Sequence, residues 1–165
     1  MNEKGFTLIE LIVVIGILSV LSASLVTYSR AGEKQIVFFK EQSILVSSVF
    51  RAKNLAISTY GANGADSCGY GLHFEPPYEF TVFNDKASNG SCANSGEYSG
   101  SHEDVEKIKL DSSVKIVGNP ADFIFVPPEP TVRPKAQVSI RLELADDSSR
   151  FSIITISPAG QITVK

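Results

Sequence analysis

A run of apolar residues from Phe6 to Val26, interrupted by a single charge at Glu10, constrains this chain more than any other feature. At 1.5 Å per residue, a helix over that run reaches about 30 Å, the thickness of a bilayer's hydrocarbon core. A secretory signal peptide places its charge before the apolar stretch, keeps that stretch to about 7–15 residues, and ends it with a small-x-small cleavage site. Ser22-Ala23-Ser24 resembles such a site, but the run is too long and carries an acid one turn into its start. The run predicts a transmembrane segment at 6–26.

Glu10 is the residue that demands an explanation. An ionisable group inside a membrane segment costs several kcal/mol unless it is paired or neutralised. No Lys or Arg lies between Phe6 and Val26. The partner therefore comes from outside the segment: water, a neighbouring chain, or a positive charge created by processing. Cleavage after Gly5 supplies the last of these, a free α-amino group on Phe6. Snorkelling of Glu10 to water at the headgroups is the plainer alternative.

Gly5-Phe6-Thr7-Leu8-Ile9-Glu10, preceded by a short polar leader with Lys4 and followed by the apolar run, resembles the class III signal of type IV prepilins and type II secretion pseudopilins. The resemblance implies a leader at 1–5 that a dedicated membrane peptidase removes between Gly5 and Phe6 on the cytoplasmic side. The same enzyme then N-methylates Phe6. It also implies that Glu10 is an assembly contact, since the equivalent acid of the family pairs with the N-terminal amine of a neighbouring subunit. Many pilins have Pro where Thr27 stands here, so a kink at that point is not implied, and Gly16 and Gly32 are the weak points left. Lys4 on one side is matched by Arg30 and Lys34 on the other. Orientation thus follows from the motif rather than from the positive-inside rule.

The helix is expected to continue beyond the membrane. From Arg30 to Ser58 there is no Pro, and Phe38, Leu45, Val49, Ala52 and Ala56 recur at spacings of three, four and seven. That stripe, widened by Val46, Phe50 and Leu55, predicts an amphipathic helix over 27–59 with Lys34, Lys40, Glu41, Arg51 and Lys53 on its other face. Tyr60-Gly61-Ala62-Asn63-Gly64 is a stop signal. Strand-like alternation then takes over at Gly69–Phe74, Tyr78–Phe83, Ile108–Leu110, Val114–Val117, Phe123–Val126, Gln137–Leu144, Arg150–Ile156 and Gln161–Val164. Asn84–Glu103 reads as a long surface loop, and Pro127–Pro134 as a break. The expected fold is α+β: a long N-terminal helix, transmembrane in its first half and amphipathic in its second, packed on an antiparallel, sandwich-like β domain over 60–165.

Cys68 and Cys92 have no metal-ligand spacing. An even count beyond a membrane-directing segment suggests one disulfide, closing a loop of about 25 residues and contributing roughly 3 kcal/mol. Two unpaired, partly buried thiols are the alternative. Phe50–Ala56, Gly69–Phe74, Phe123–Phe125 and Ile156–Ile162 look like the GspH/FimT group of minor pseudopilins and minor pilins. This resemblance implies two antiparallel sheets packed on the second half of the helix.

Catalytic and metal-binding patterns are lacking: the sequence has no GxGxxG, Walker loop, GxSxG or HExxH, and its two histidines, His73 and His102, lie far apart. No enzyme activity, cofactor or metal is expected. Asp85, Glu103, Asp104 and Glu106 do not follow the spacing of a calcium loop and read as a solvated loop. Arg133, Lys135, Arg141 and Arg150 are diluted by Glu129, Glu143, Asp146 and Asp147, and the net charge is −3, which argues against nucleic-acid binding. The expected role is that of a minor pilin or pseudopilin, with its leader cytoplasmic and its β domain periplasmic or extracellular. Its expected partners are other subunits, the prepilin peptidase/N-methyltransferase, an inner-membrane assembly platform and membrane lipid. A competence pseudopilin for DNA uptake, and a membrane-anchored surface binding module that never polymerises, are the alternatives.

Overall fold

The structure, a computed structural model, describes residues 7–59, 67–87, 92 and 96–165, apart from the side chains of 26–31. Gly5 and Phe6, and the stop signal at 60–64, lie outside the described residues. The chain divides after Ile36 into two units. One helix, α1 (Leu8–Ser58), belongs to both. Its assignment continues through Gly16, Thr27 and Gly32.

In the second unit, α1 buries one stripe: Phe38, Leu45, Val49, Ala52 and Ala56, all at 8 % exposure or less. These are the positions whose spacing predicts the core face, but Glu41, expected on the other face, is buried too, at 2 % exposure. Ala52 and Ala56 bury small side chains in the stripe, while Leu45 and Val49 supply bulk, at roughly 1.5–3 kcal/mol for each large side chain withdrawn from water.

Among the described residues nine strands follow: β1 (Ser67–Glu75), β2 (Glu79–Lys86), β3 (Asp104–Lys109), β4 (Val114–Val117), β5 (Phe123–Val126), β6 (Thr131–Arg133), β7 (Val138–Leu144), β8 (Phe151–Ile156) and β9 (Ile162–Val164). They form a five-stranded sheet in the order β3-β2-β1-β5-β6 and a four-stranded sheet in the order β4-β7-β8-β9. All pairings are antiparallel. One core joins Leu72, Phe74, Phe80 and Val82 of the first sheet, Ile140, Leu142, Ile154 and Ile156 of the second, and the buried stripe of α1. The chain is therefore an α+β protein with its long N-terminal helix packed on a β-rich domain.

Three further details differ from expectation. The Pro-rich stretch at 127–134 is not wholly a break, because it contains β6. That strand is short and sits at a sheet edge, where flanking prolines remove no ladder hydrogen bond. Strand β3 starts at Asp104, earlier than the apolar pattern suggests, since an edge strand with one wet face tolerates Asp104, Glu106 and Lys107. The end of the expected loop at 84–103 is also ordered, forming a 3₁₀ turn at Ser101–Glu103 in which Glu103 is buried.

Candidate functional site

The N-terminal segment begins at a helix cap. The Glu10 amide donates to the Thr7 carbonyl at 3.1 Å and to Thr7 Oγ1 at 3.3 Å, and the Leu11 amide reaches the same carbonyl at 3.2 Å. Thr7 so satisfies donors at a helix end that would otherwise be unpaired. Glu10 is in the first turn, where the helix dipole favours an acid. Leu8–Leu25 is long and apolar enough to cross a membrane, with a mean hydropathy of 2.5 and none of it buried within the chain. Ser19 Oγ donates to the Ile15 carbonyl at 2.8 Å, and Ser24 Oγ to the Val20 carbonyl at 3.0 Å.

Further along α1, the side opposite the core is also partly apolar. Ile36, Phe39, Phe50 and Ile57 are exposed by 45–71 %, with Ser43 and Ser47 exposed between them. The periodicity of the sequence places Phe50 at the margin of the core stripe. In the structure it is half exposed, on the outer side.

A second feature lies on the outer face of the five-stranded sheet. Cys68 and Cys92 are joined by a disulfide, with Cα atoms 5.5 Å apart. Beyond Cys92 the segment Gly96–Ser99 lies as a strap against β1 and β2. Its Tyr98 ring stacks on His73 at 4.1 Å between centroids and meets the Phe83 ring edge-on at 5.5 Å. Thr81, which pairs with His73 across the two strands, is fully buried on that face, as is Phe83.

Four carboxylates hold this strap. Asp85 accepts the Gly96 amide at 2.7 Å, Asp122 the Tyr98 amide at 3.4 Å, Glu103 the Ser99 amide at 2.8 Å, and Asp104 the Tyr98 hydroxyl at 2.6 Å. The bond to Asp104 pushes the Tyr98 hydroxyl up to about 12. Burial raises Asp85 to about 6, with Glu103 adding to the rise, while the Gly96 amide and the Arg133 guanidinium pull it down. Arg133 also donates to the Cys92 carbonyl at 2.8 Å. His73 Nδ1 is 2.9 Å from Asp122, and its Nε2 is 4.0 Å from Glu75. Between the strap, the 119–122 loop and the end of β6 lies an open cleft of about 820 Å³, lined in part by His73, Tyr98, Asp122 and Arg133.

The acids considered as a calcium loop are spread over separate tasks. Asp85, Glu103 and Asp104 bind the strap, and Glu106 pairs with Arg51 of α1. Among the described residues, no three His, Cys, Asp or Glu side chains are grouped to hold a metal ion. The basic residues considered for nucleic acid are divided as well. Arg133 is in one sheet and Arg141 in the other. Arg141 is bound to Glu143 at 2.6 Å and lies over the Phe151 ring, and Arg150 pairs with Asp147 at 3.4 Å.

Sequence reasoning did not find the strap or the cleft. A Gly/Ser/Asn-rich stretch carries no periodicity, and its partners Asp85 and Asp122 lie on opposite sides of it in the chain. The aromatic Tyr98 within so polar a stretch was the one available signal.

The family model described as the prokaryotic N-terminal methylation motif matches residues 1–26. No curated protein and no solved structure matches the chain. The motif, on a helix long and apolar enough to span a bilayer, supports a type IV prepilin-like protein and is consistent with a membrane-anchored pilin.

Proposed function

We propose that this chain is a minor pilin or pseudopilin of the GspH/FimT kind, a structural subunit rather than an enzyme. It joins a type IV pilus or type II secretion pseudopilus after cleavage between Gly5 and Phe6 and N-methylation of Phe6. The observation that carries this reading is the methylation motif ending in a helix that buries none of Leu8–Leu25 within its own chain. Such a surface needs lipid before assembly and other subunits after it. Leaving the bilayer is offset only if comparable apolar area is covered again. The outward Ile36, Phe39, Phe50 and Ile57 extend the surface available for helix packing beyond the anchor. Glu10, the sole charge of the run, then meets the amine of a neighbouring subunit's processed Phe6. The partners are the other subunits, the prepilin peptidase/N-methyltransferase and an inner-membrane assembly platform.

Two measurements test this. Mass spectrometry of the mature protein is expected to give N-methylphenylalanine at Phe6, whereas a start at residue 24 or 25 would point to an ordinary secreted protein. Glu10→Ala is expected to remain membrane-inserted but to lose filament incorporation. Incorporation at the unsubstituted level would overturn the proposal in favour of a solitary anchored module.

A further inference from the structure

Three amides of the strap, those of Gly96, Tyr98 and Ser99, are accepted by three carboxylates from separate parts of the chain: the end of β2, the loop before β5, and the 3₁₀ turn. Of these three bonds, the one from Gly96 to Asp85 is the buried one. Asp85 is 4 % exposed, and the 3 %-exposed Glu103 is near enough to act on its charge. The cation that acts on it is Arg133, at the end of β6. The neighbouring Lys86 directs its ammonium to the His102 carbonyl, 2.6 Å away. An acid covered in this way is poorly solvated as an anion, yet keeps its carbonyl oxygen as an acceptor once protonated. Lifting the strap removes the Gly96 contact and returns the carboxyl to water.

We propose that the Gly96–Ser99 strap is a proton-latched wall of the cleft, with Asp85 as the latch: mild acid fastens the strap, and neutral pH lets it lift. The sign follows from linkage. Strapped, Asp85 holds its proton up to about pH 6, while a solvated Asp does so only up to 3.8. The closed form binds the proton more tightly, so closure strengthens as pH falls through about 6 and levels off below about 4. Between pH 7.5 and pH 5 the gain in the closed-to-open ratio is about tenfold. The other titratable groups near the strap are Glu97 within it, His102 beside the Ser99 hydroxyl, Glu103 at the Ser99 amide, His73 with Asp122 and Glu75, Tyr98 with Asp104, and Lys107 with Glu75 and Glu79. None of them contacts the Gly96 amide, which therefore reports on Asp85.

The experiment is amide hydrogen exchange on the full chain in detergent micelles, corrected for the intrinsic pH dependence of exchange. Protection of the Gly96 amide is expected to rise about tenfold from pH 7.5 to pH 5 relative to Leu72 in β1. Asp85→Asn, which keeps an acceptor oxygen but cannot titrate, is expected to flatten that rise. No rise in the unsubstituted chain, or an equal rise in Asp85→Asn, would overturn the latch. Should the variant fail to fold, the Asp85 carboxyl resonance of the unsubstituted chain still decides. A midpoint near 6 supports the latch, and one near 3.8 overturns it.

Discussion

The ammonium of Lys53, on α1, donates at 3.0 Å to the carbonyl of Gly160, in the turn before the last strand. The bond spans 107 positions of sequence and ties the helix to the far end of the β domain. Gly160 has little freedom to be anything else. Its φ of +73° is in the left-handed region, and an added Cβ would lie 2.1 Å from the Pro130 carbonyl oxygen. Gly160→Ala is expected to destabilise the fold by roughly 2–4 kcal/mol, through both backbone strain and the clash. Lys53→Met, which keeps the stem but not the donor, is expected to cost only about 1 kcal/mol. Chemical denaturation of the two variants in micelles checks the ranking.

The disulfide gives a second prediction. Cys68 and Cys92, 24 positions apart, fix the chain to β1 just before the strap. Replacing both with Ser is expected to lower stability by about 3 kcal/mol. Exchange at Tyr98 and Ser99 should rise more than exchange in β7. An equal rise in both would mean that the bond stabilises the domain generally rather than the strap.

Two sides of one helix separate stability from assembly. Leu45→Ala empties a fully buried position and is expected to cost about 2–5 kcal/mol. Phe39→Ser and Phe50→Ser change exposed rings and are expected to alter stability by less than about 0.5 kcal/mol, while lowering filament incorporation. Denaturation midpoints and the filament fraction recovered from cells give the two readouts. Normal incorporation of the paired Phe39→Ser/Phe50→Ser chain would remove the outer stripe from the packing surface.

Two turns are built alike, and both respond to acid. Asp111 accepts the Ser113 amide at 2.8 Å and the Ser113 hydroxyl at 2.6 Å. Asp147 accepts the Ser149 amide at 3.1 Å and the Ser149 hydroxyl at 2.6 Å. In each pair the serine hydroxyl is the main cause that lowers the aspartate below its usual 3.8. A carboxyl lowered on folding stabilises the protein above its unfolded value, and that stability is lost as pH falls through the folded value. Ser113→Ala and Ser149→Ala should therefore each lower the melting temperature at pH 7. The deficit should shrink steadily below pH 3.8. A deficit independent of pH would assign the effect to turn geometry instead.

What was legible in the sequence was local physics repeated often enough to stand out. Glu10 is conspicuous because a charge in an apolar run has no ordinary reason to be there. The helix stripe of Phe38, Leu45, Val49, Ala52 and Ala56 is legible because burial follows a period of 3.6 residues. Strands such as Phe123–Val126 and Val138–Leu144 could be read from their β-branched and aromatic content. The strap could not, because its order comes from Asp85, Glu103, Asp104 and Asp122, each of which looks like a solvated loop acid. Strand β6 was hidden by the prolines around it, whose meaning changes once the strand is known to be at an edge. Gly71 could not be explained in advance either. Its missing Cβ leaves room for the Phe123 carbonyl oxygen, 1.8 Å from where that atom would stand.

The serine hydroxyls folded back onto α1 have a further consequence. Ser19 and Ser24 give their protons to carbonyls of their own helix, so neither donor needs a partner from outside it. Donors satisfied within the helix can face an acyl chain or another helix alike. Lipid can be exchanged for protein around those two positions without any hydrogen bond being broken. On the proposed function, alignment between neighbouring helices is left to Glu10, the sole charge of the apolar run.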